Sequence, residues 1–204
     1  MFYETVKLFE RDTGEGLMDE YLLKVAGVER KLPIVRIADN IKIASFVILG
    51  DTELVEAAAQ ELKERIPDAD YFITAEAKGI PLVYELSRLC GKKRYFVARK
   101  SIKPYMSDPF ATEVYSITTQ RKQLLCIEKE ESDLIKGKRI LIVDDVISTG
   151  ESSRALEALV TRAGGKVVGK AAILAEGKDA VNRDDIIYLG ELPLFPIESS
   201  DAIQ

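Results

Sequence analysis

The sequence contains no histidine. That excludes nucleophiles activated by Ser-His-Asp or Cys-His arrangements, and zinc sites built on imidazole. A general acid or base has to be a carboxylate, a lysine, a tyrosine, a cysteine or the substrate itself. Any bound metal has to be held mainly by oxygen, which points to magnesium or calcium. Cysteine is nearly as scarce: Cys90 and Cys126 are the only two, and they form no C-x-x-C pair. Two such thiols build no disulfide framework and predict a reducing, cytoplasmic compartment. Apolar runs long enough to span a membrane are missing, and the acidic start (Glu4, Glu10, Asp12) is unlike a signal peptide. An excess of positive charge is missing too. Lys plus Arg number 29 against 34 Asp plus Glu, a net charge of −5, which argues against a nucleic-acid partner held by bulk charge.

What is present is an ordinary globular balance, 47% hydrophobic and 31% charged over 204 residues, enough for one domain with a sizeable core. Residues 1–50 are rich in β-forming side chains. Asp39-Asn40 predicts a turn between two short strands within 33–49, so this part reads as a small β-rich hood. From Asp51 onward strand and helix alternate. A helix capped by Asp51 or Thr52 runs to about residue 66, with Leu54, Val55, Ala58 and Leu62 on one face. Strands follow at 71–74 and 94–99, around a helix opened by Pro81 and closed by Gly91. Residues 100–112 predict a long surface loop. Alternating stretches at 113–118 and 123–128 lead to a turn capped by Asp133. Residues 138–150 predict a central parallel strand buried on both faces, followed by a helix over 151–163 and strands at 166–176 and 185–189. The fold class is α/β, a parallel central sheet flanked by helices, with residues 51–204 as the core. Such sheets bind ligands at the C-terminal ends of their strands.

Two glycine patterns imitate nucleotide-binding motifs. Gly164-x4-Gly169-Lys170 carries Ala171 where a P-loop needs Ser or Thr, and it leads from helix into strand rather than from strand into helix. Gly14-x-Gly16 has Asp19 where a dinucleotide fingerprint needs glycine. Both read as turns.

The motif that carries chemistry is Val143-Asp144-Asp145-Val146-Ile147-Ser148-Thr149-Gly150-Glu151-Ser152. A strand-to-helix turn exposes backbone N–H groups, and the helix dipole adds positive potential, so the turn suits a phosphate. Ser148, Thr149 and Ser152 add hydroxyl donors, and Gly150 permits close backbone approach. Asp144 and Asp145 would repel a phosphate, so they suit sugar hydroxyls or a hydrated magnesium ion. A simple helix cap does not require two carboxylates against an apolar strand, where desolvation is costly.

Residues 140–152 (ILIVDDVISTGES) resemble the phosphoribosyl pyrophosphate (PRPP) signature of type I phosphoribosyltransferases. The resemblance implies that Asp144 and Asp145 hold the ribose hydroxyls and that the loop from Ser148 through Ser153 holds the 5′-phosphate. Thr74-Ala75-Glu76-Ala77-Lys78-Gly79-Ile80 resembles the family's pyrophosphate loop, in which a non-proline cis peptide is common. This assigns Ala77, Lys78 and Gly79 to the leaving group. Residues 97–115 resemble the flexible loop that closes over the site, with Arg99, Lys100 and Lys103 to neutralise pyrophosphate and Tyr105 to cover it. The stretch from Phe96 to about Ile127 is similar to the adenine and xanthine enzymes, and residues 33–51 then correspond to the hood over the base. Phe46 and Glu176 become candidate base contacts. Ile43-Ala44-Ser45-Phe46 only loosely echoes the Phe-Arg-Asp-Ile-Ser element of adenine enzymes. Glu176 is followed by Gly177 and then Lys178, where xanthine enzymes place the Lys directly after Glu. The resemblance implies a purine phosphoribosyltransferase with adenine the favoured base, magnesium held through PRPP and water, and a homodimer. The alternatives are xanthine or another base, or a non-catalytic PRPP or purine sensor. Regulators of that last kind join a DNA-binding module to this domain, and residues 1–49 show no helix-turn-helix pattern.

Overall fold

The computed structural model describes residues 19–115 and 122–197. Expectations for residues 1–18, including Gly14-x-Gly16, for 116–121 and for 198–204 lie outside the described residues. In chain order the elements are β1 (Glu20–Val25), β2 (Val28–Ala38), β3 (Ile41–Ala44), α1 (Thr52–Lys63), β4 (Tyr71–Ala75), α2 (Ile80–Leu89), β5 (Phe96–Ala98), β6 (Pro109–Tyr115), β7 (Lys122–Glu128), α3 (Lys129–Ile135), β8 (Arg139–Ile147), α4 (Glu151–Arg162), β9 (Lys166–Glu176), α5 (Lys178–Val181), β10 (Ile186–Leu192) and β11 (Leu194–Pro196).

β8 is the middle strand of a five-stranded sheet ordered β10-β9-β8-β4-β5, with every pairing parallel. Its apolar run serves both faces, because successive side chains point to opposite sides. Leu141 and Val143 pack with Leu54, Ala58 and Leu62 of α1 and Leu82 and Leu86 of α2. Ile140 and Ile142 pack with Ala155, Leu156, Leu159 and Val160 of α4 and with Leu125 and Ile127 of β7. A strand covered on both faces has no polar positions to spare, which is why the run reads continuously apolar until Asp144.

The hood is a separate antiparallel sheet ordered β1-β2-β3-β11. Its edge strand β11 comes from the far end of the described chain, so both ends of the described sequence build the hood. Arg30 of β2 ties it to the core. The guanidinium donates to both carboxylate oxygens of Asp51 (2.7 and 2.9 Å) and to Glu53 (2.7 Å). Asp51 in turn caps α1 by accepting from the Leu54 N–H.

Several local expectations are corrected. The strand before Asp39-Asn40 is long, with eleven residues. The surface loop ends at Asp108, because Pro109 opens β6 and pairs opposite Glu128 of β7; a proline fits the first residue of an edge strand. The turn attributed to Asp133 is the helix α3. Its N-cap is Glu128, in a reciprocal capping box with Glu131, while Asp133 pairs with Lys129 on the helix surface. Gly164 does end α4 with a positive φ of 80°. α5 and β11 were not anticipated: four- and three-residue elements are too short to show a period.

Candidate active site

Asp144 and Asp145 lie inside β8, which continues through Val146 and Ile147. Asp144 remains in register with Ala172 of β9. The ladder therefore fixes the backbone beneath both carboxylates. The Asp145 side chain is only 4% exposed, and its Oδ2 lies 3.0 Å from the Nζ of Lys78. That ammonium is not aligned to donate, and Oδ2 has no hydrogen-bond partner among the described residues. A buried carboxylate oxygen left so is costly unless a ligand completes it. Asp144 is half-buried as a residue, but its carboxyl is shielded on most sides. Burial, and then the adjacent Asp145 charge, push its pKa well above the usual carboxylate range. Its Oδ1 also accepts from the Asp145 N–H at 2.9 Å.

Facing β8 is the turn between β4 and α2. Its Glu76–Ala77 peptide is cis, and Ala77 and Lys78 are exposed while Gly79 is buried. A Cβ on Gly79 would sit 2.3 Å from the Thr74 hydroxyl and 3.3 Å from the Asp144 Cα. Glycine is required here because two backbones meet, which brings the turn onto the carboxylates.

The segment from Arg99 to Asp108 gathers around Glu76. The Lys100 N–H donates to Glu76 at 3.2 Å, Arg99 Nη1 at 3.4 Å, and Lys103 Nζ stands 4.0 Å away. These contacts, the Lys100 N–H foremost, hold the Glu76 carboxyl below its usual range. Lys103 also donates to Ser101 at 2.7 Å. Arg99 lies 5.8 Å from the ring of Tyr105, which is otherwise exposed. Arg99 is pinned from below by an isolated bridge to Cys126. Of the cations expected on this loop, Arg99 and Lys103 are therefore brought to Glu76 by their side chains, and Lys100 only by its backbone N–H.

Beyond β8, Ser148, Thr149, Gly150, Glu151 and Ser152 line a cavity of about 170 Å³ with Asp144 and Gln123. Gly150 has a positive φ of 77° and starts α4 without a side-chain cap. The start of α4 thus has no side-chain cap from its N-cap residue, an arrangement that suits an anion. Ser153, the last residue of the expected loop, donates its buried hydroxyl to the Gly150 carbonyl at 2.9 Å and so braces the turn. Val146 and Ile147 complete the cavity wall.

A second cavity of about 410 Å³ lies between the hood segment Ile43–Val47 and Lys78, Val146, Ser148, Glu176 and Leu192. Phe46 lines it although the residue is only 5% exposed and belongs to the core. Glu176, at the end of β9, also borders a larger apolar chamber of about 800 Å³, which Lys178 lines as well. Gln123 was missed in the sequence, because only the packing of β7 under α4 brings it to the turn. Glu76 was missed as an anchor for the basic loop, although an acid between a strand and Lys78-Gly79 is visible. No group of three or more candidate metal-ligating side chains occurs among the described residues.

A parallel sheet that carries paired acids beside a serine-threonine turn and a lysine-glycine turn is an arrangement suited to a phosphorylated sugar. The comparisons make the class specific. The model of the phosphoribosyl transferase domain matches residues 48–198, and the chain belongs to that family. It is 30% identical over 146 residues to the xanthine phosphoribosyltransferase of Clostridioides difficile (strain 630), covering 70% of this chain and 76% of that one. It is 27% identical over 125 residues to the adenine phosphoribosyltransferase of Petrotoga mobilis (strain DSM 10674 / SJ95), covering 60% and 68%. The crystal structure of adenine phosphoribosyltransferase from Rhodothermus marinus DSM 4252 superposes with a TM-score of 0.57 at 25% identity, covering 71% of this chain and 82% of that one.

Proposed function

We propose that this chain transfers the phosphoribosyl group of PRPP to a purine base, giving a nucleoside 5′-monophosphate and pyrophosphate, with adenine the favoured base. The observation that carries the reading is the convergence of Asp144 and Asp145, the Lys78-Gly79 turn and the Ser148–Ser153 turn on one cleft. In this reading Asp144 and Asp145 accept hydrogen bonds from the vicinal ribose hydroxyls. Ser148, Thr149, Gly150, Glu151 and Ser152 surround the 5′-phosphate. Ala77, Lys78 and Gly79 meet the pyrophosphate, and Arg99, Lys100, Lys103 and Tyr105 close over it. The base lies in the cavity under the hood, against Phe46 and Glu176.

A ring nitrogen of the base bonds to C1 of the ribose as the C1–O bond to pyrophosphate breaks. The electron pair of that bond leaves with pyrophosphate, and the base gives up its ring proton to solvent. No side chain needs to act as a nucleophile, so the lack of histidine is no obstacle. The protein orients two substrates, holds leaving-group charge and excludes water. The Asp145 oxygen, ion-paired to Lys78 but without a hydrogen-bond donor, and the all-oxygen donor set fit magnesium bound mainly through PRPP and water, with Asp144 and Asp145 as the nearest protein groups. Bound magnesium would supply neutralisation of pyrophosphate charge. A homodimer and a cytoplasmic location complete the reading, the latter in keeping with two unpaired cysteines.

Xanthine is the second reading, because Glu176 and Lys178 border one chamber next to the hood cavity. A panel of adenine, hypoxanthine, guanine and xanthine with PRPP and magnesium, followed by pyrophosphate release, separates the two. Turnover with adenine above the others is expected. Turnover with xanthine alone establishes the second reading, and no turnover with any base alongside tight PRPP binding favours the sensor.

A further inference from the structure

The Ser148–Ser153 turn is backed by a chain of four charged side chains from three different elements. Arg183, in the connection between α5 and β10, ends against Gly150: its Nη1 lies 2.1 Å from where a Cβ on Gly150 would sit. Asp185 fixes the guanidinium plane by accepting from Nε at 2.9 Å and from Nη2 at 2.8 Å. A bidentate pair of this kind has little freedom to rotate, so Nη1 is the corner aimed at the turn. Asp185 Oδ2 also takes the Nζ of Lys170 at 2.8 Å. Lys170 is only 8% exposed in its side chain and makes a second ion pair, 2.8 Å, to Glu157 of α4. The lysine that imitates a P-loop in the sequence is thus the centre of a structural ion network.

Within the network the charges cancel, two carboxylates against two cations. Only the Lys170 ammonium is buried, while Asp185 and Glu157 are about half-exposed, so these pairs add little stability, but the bidentate contact to Asp185 fixes the guanidinium. The fixed geometry ends at Gly150, the residue where the backbone takes its positive φ and α4 begins. Gly150 therefore has two reasons to be glycine: its backbone conformation and the guanidinium behind it.

We propose that Arg183 is a positioning residue for the turn that receives the 5′-phosphate, held in place by Asp185, Lys170 and Glu157. The inference rests on the assignment of Ser148–Ser153 to that phosphate. Arg183 sets the path of the backbone at Gly150 and places a permanent positive charge behind the amides that meet the ligand. It acts through the turn and not by touching the base or the pyrophosphate.

The test is calorimetric binding of two separate probes, ribose 5-phosphate and magnesium pyrophosphate, to the full chain. Thr149→Val with Ser152→Ala serves as the control for the turn itself, and melting curves verify folding. Arg183→Met is expected to weaken ribose 5-phosphate by about fivefold or more, roughly 1 kcal/mol, while pyrophosphate stays within about twofold. Arg183→Lys keeps the charge and should recover part of that loss, whereas Asp185→Asn, which frees the guanidinium, should weaken the same probe. If Arg183→Met does not fold, the Asp185→Asn variant decides on the same two probes. Unchanged ribose 5-phosphate affinity in these variants, or equal weakening of both probes, overturns the positioning role. If the control variant also leaves ribose 5-phosphate unaffected, the assignment of the turn to phosphate is what fails.

Discussion

Lys78 Nζ stands 3.0 Å from the Oδ2 of Asp145, an exposed ammonium over a buried carboxylate at the centre of the cleft. The pair joins the turn after β4 to the middle strand of the sheet. Replacing Lys78 by Met leaves that carboxylate without a cation. The expected outcome is a lower melting temperature and a KM for PRPP raised about tenfold, with the KM for the base much less affected, as measured by steady-state kinetics. An unchanged KM for PRPP would separate Lys78 from the leaving-group site.

Asp144 gives a pH signature. Its pKa is raised by burial and by the Asp145 charge, so the ligand-free protein holds a proton there above the usual carboxylate range. That protonated carboxyl contributes stability fully below its unfolded pKa, about 4, and loses it as pH rises through the raised folded value. Sugar hydroxyls donate to the ionised form, so PRPP binding should release a proton and strengthen as pH rises across the same window. Calorimetry in buffers of different ionisation heat measures this directly. Proton uptake on binding would contradict the assignment of Asp144.

Gly79 is the contact point of two backbones, and any Cβ there meets Thr74 Oγ1 and Asp144. Gly79→Ala should cost about 1–3 kcal/mol of stability through overpacking and reduce kcat/KM sharply. Adding Thr74→Ala removes the nearest atom and should return part of the stability but little of the activity, since the Asp144 contact remains. Full recovery of activity in the double variant would show that the approach of this turn to Asp144 is unimportant.

Much of this site was legible because its parts are local. The run from Ile140 to Ser152 states strand, acids, turn and helix in order, and Thr74–Ile80 and Arg99–Tyr105 each lie within one connection. The β8–α4 unit and the parallel sheet follow from apolar runs of the right length. What escaped was whatever depends on distant segments meeting. β11 joins the hood by pairing with β3 across most of the chain, and Gln123 reaches the phosphate-type cavity only through the β6–β7 hairpin. Arg183 meets Gly150 through side-chain geometry that no spacing encodes. The capping box of α3 was present in the sequence as Glu128 and Glu131 but was read one turn late, at Asp133.

Glu76 holds the basic segment through the Lys100 N–H and the Arg99 and Lys103 side chains. Glu76→Gln removes the charge but keeps the shape. Trypsin should then cut after Arg99 or Lys100 several-fold faster than in the unaltered protein, because local opening governs proteolysis of such segments. Because the Glu76 carboxyl is held below its usual range, its contribution is present above the unfolded pKa, about 4.3, and fades as pH falls through the lower folded value. Cleavage at equal rates in both proteins would show that Glu76 does not anchor the loop.

The proposed sugar site is the pair Asp144 and Asp145, holding the ribose of PRPP. Its most direct test is the dissociation constant of magnesium PRPP for the unaltered protein and for Asp144→Asn combined with Asp145→Asn, measured by calorimetry on folded samples. The account predicts at least about tenfold weaker binding in the double variant, roughly 1.4 kcal/mol or more. Affinity within about twofold of the unaltered protein would contradict it.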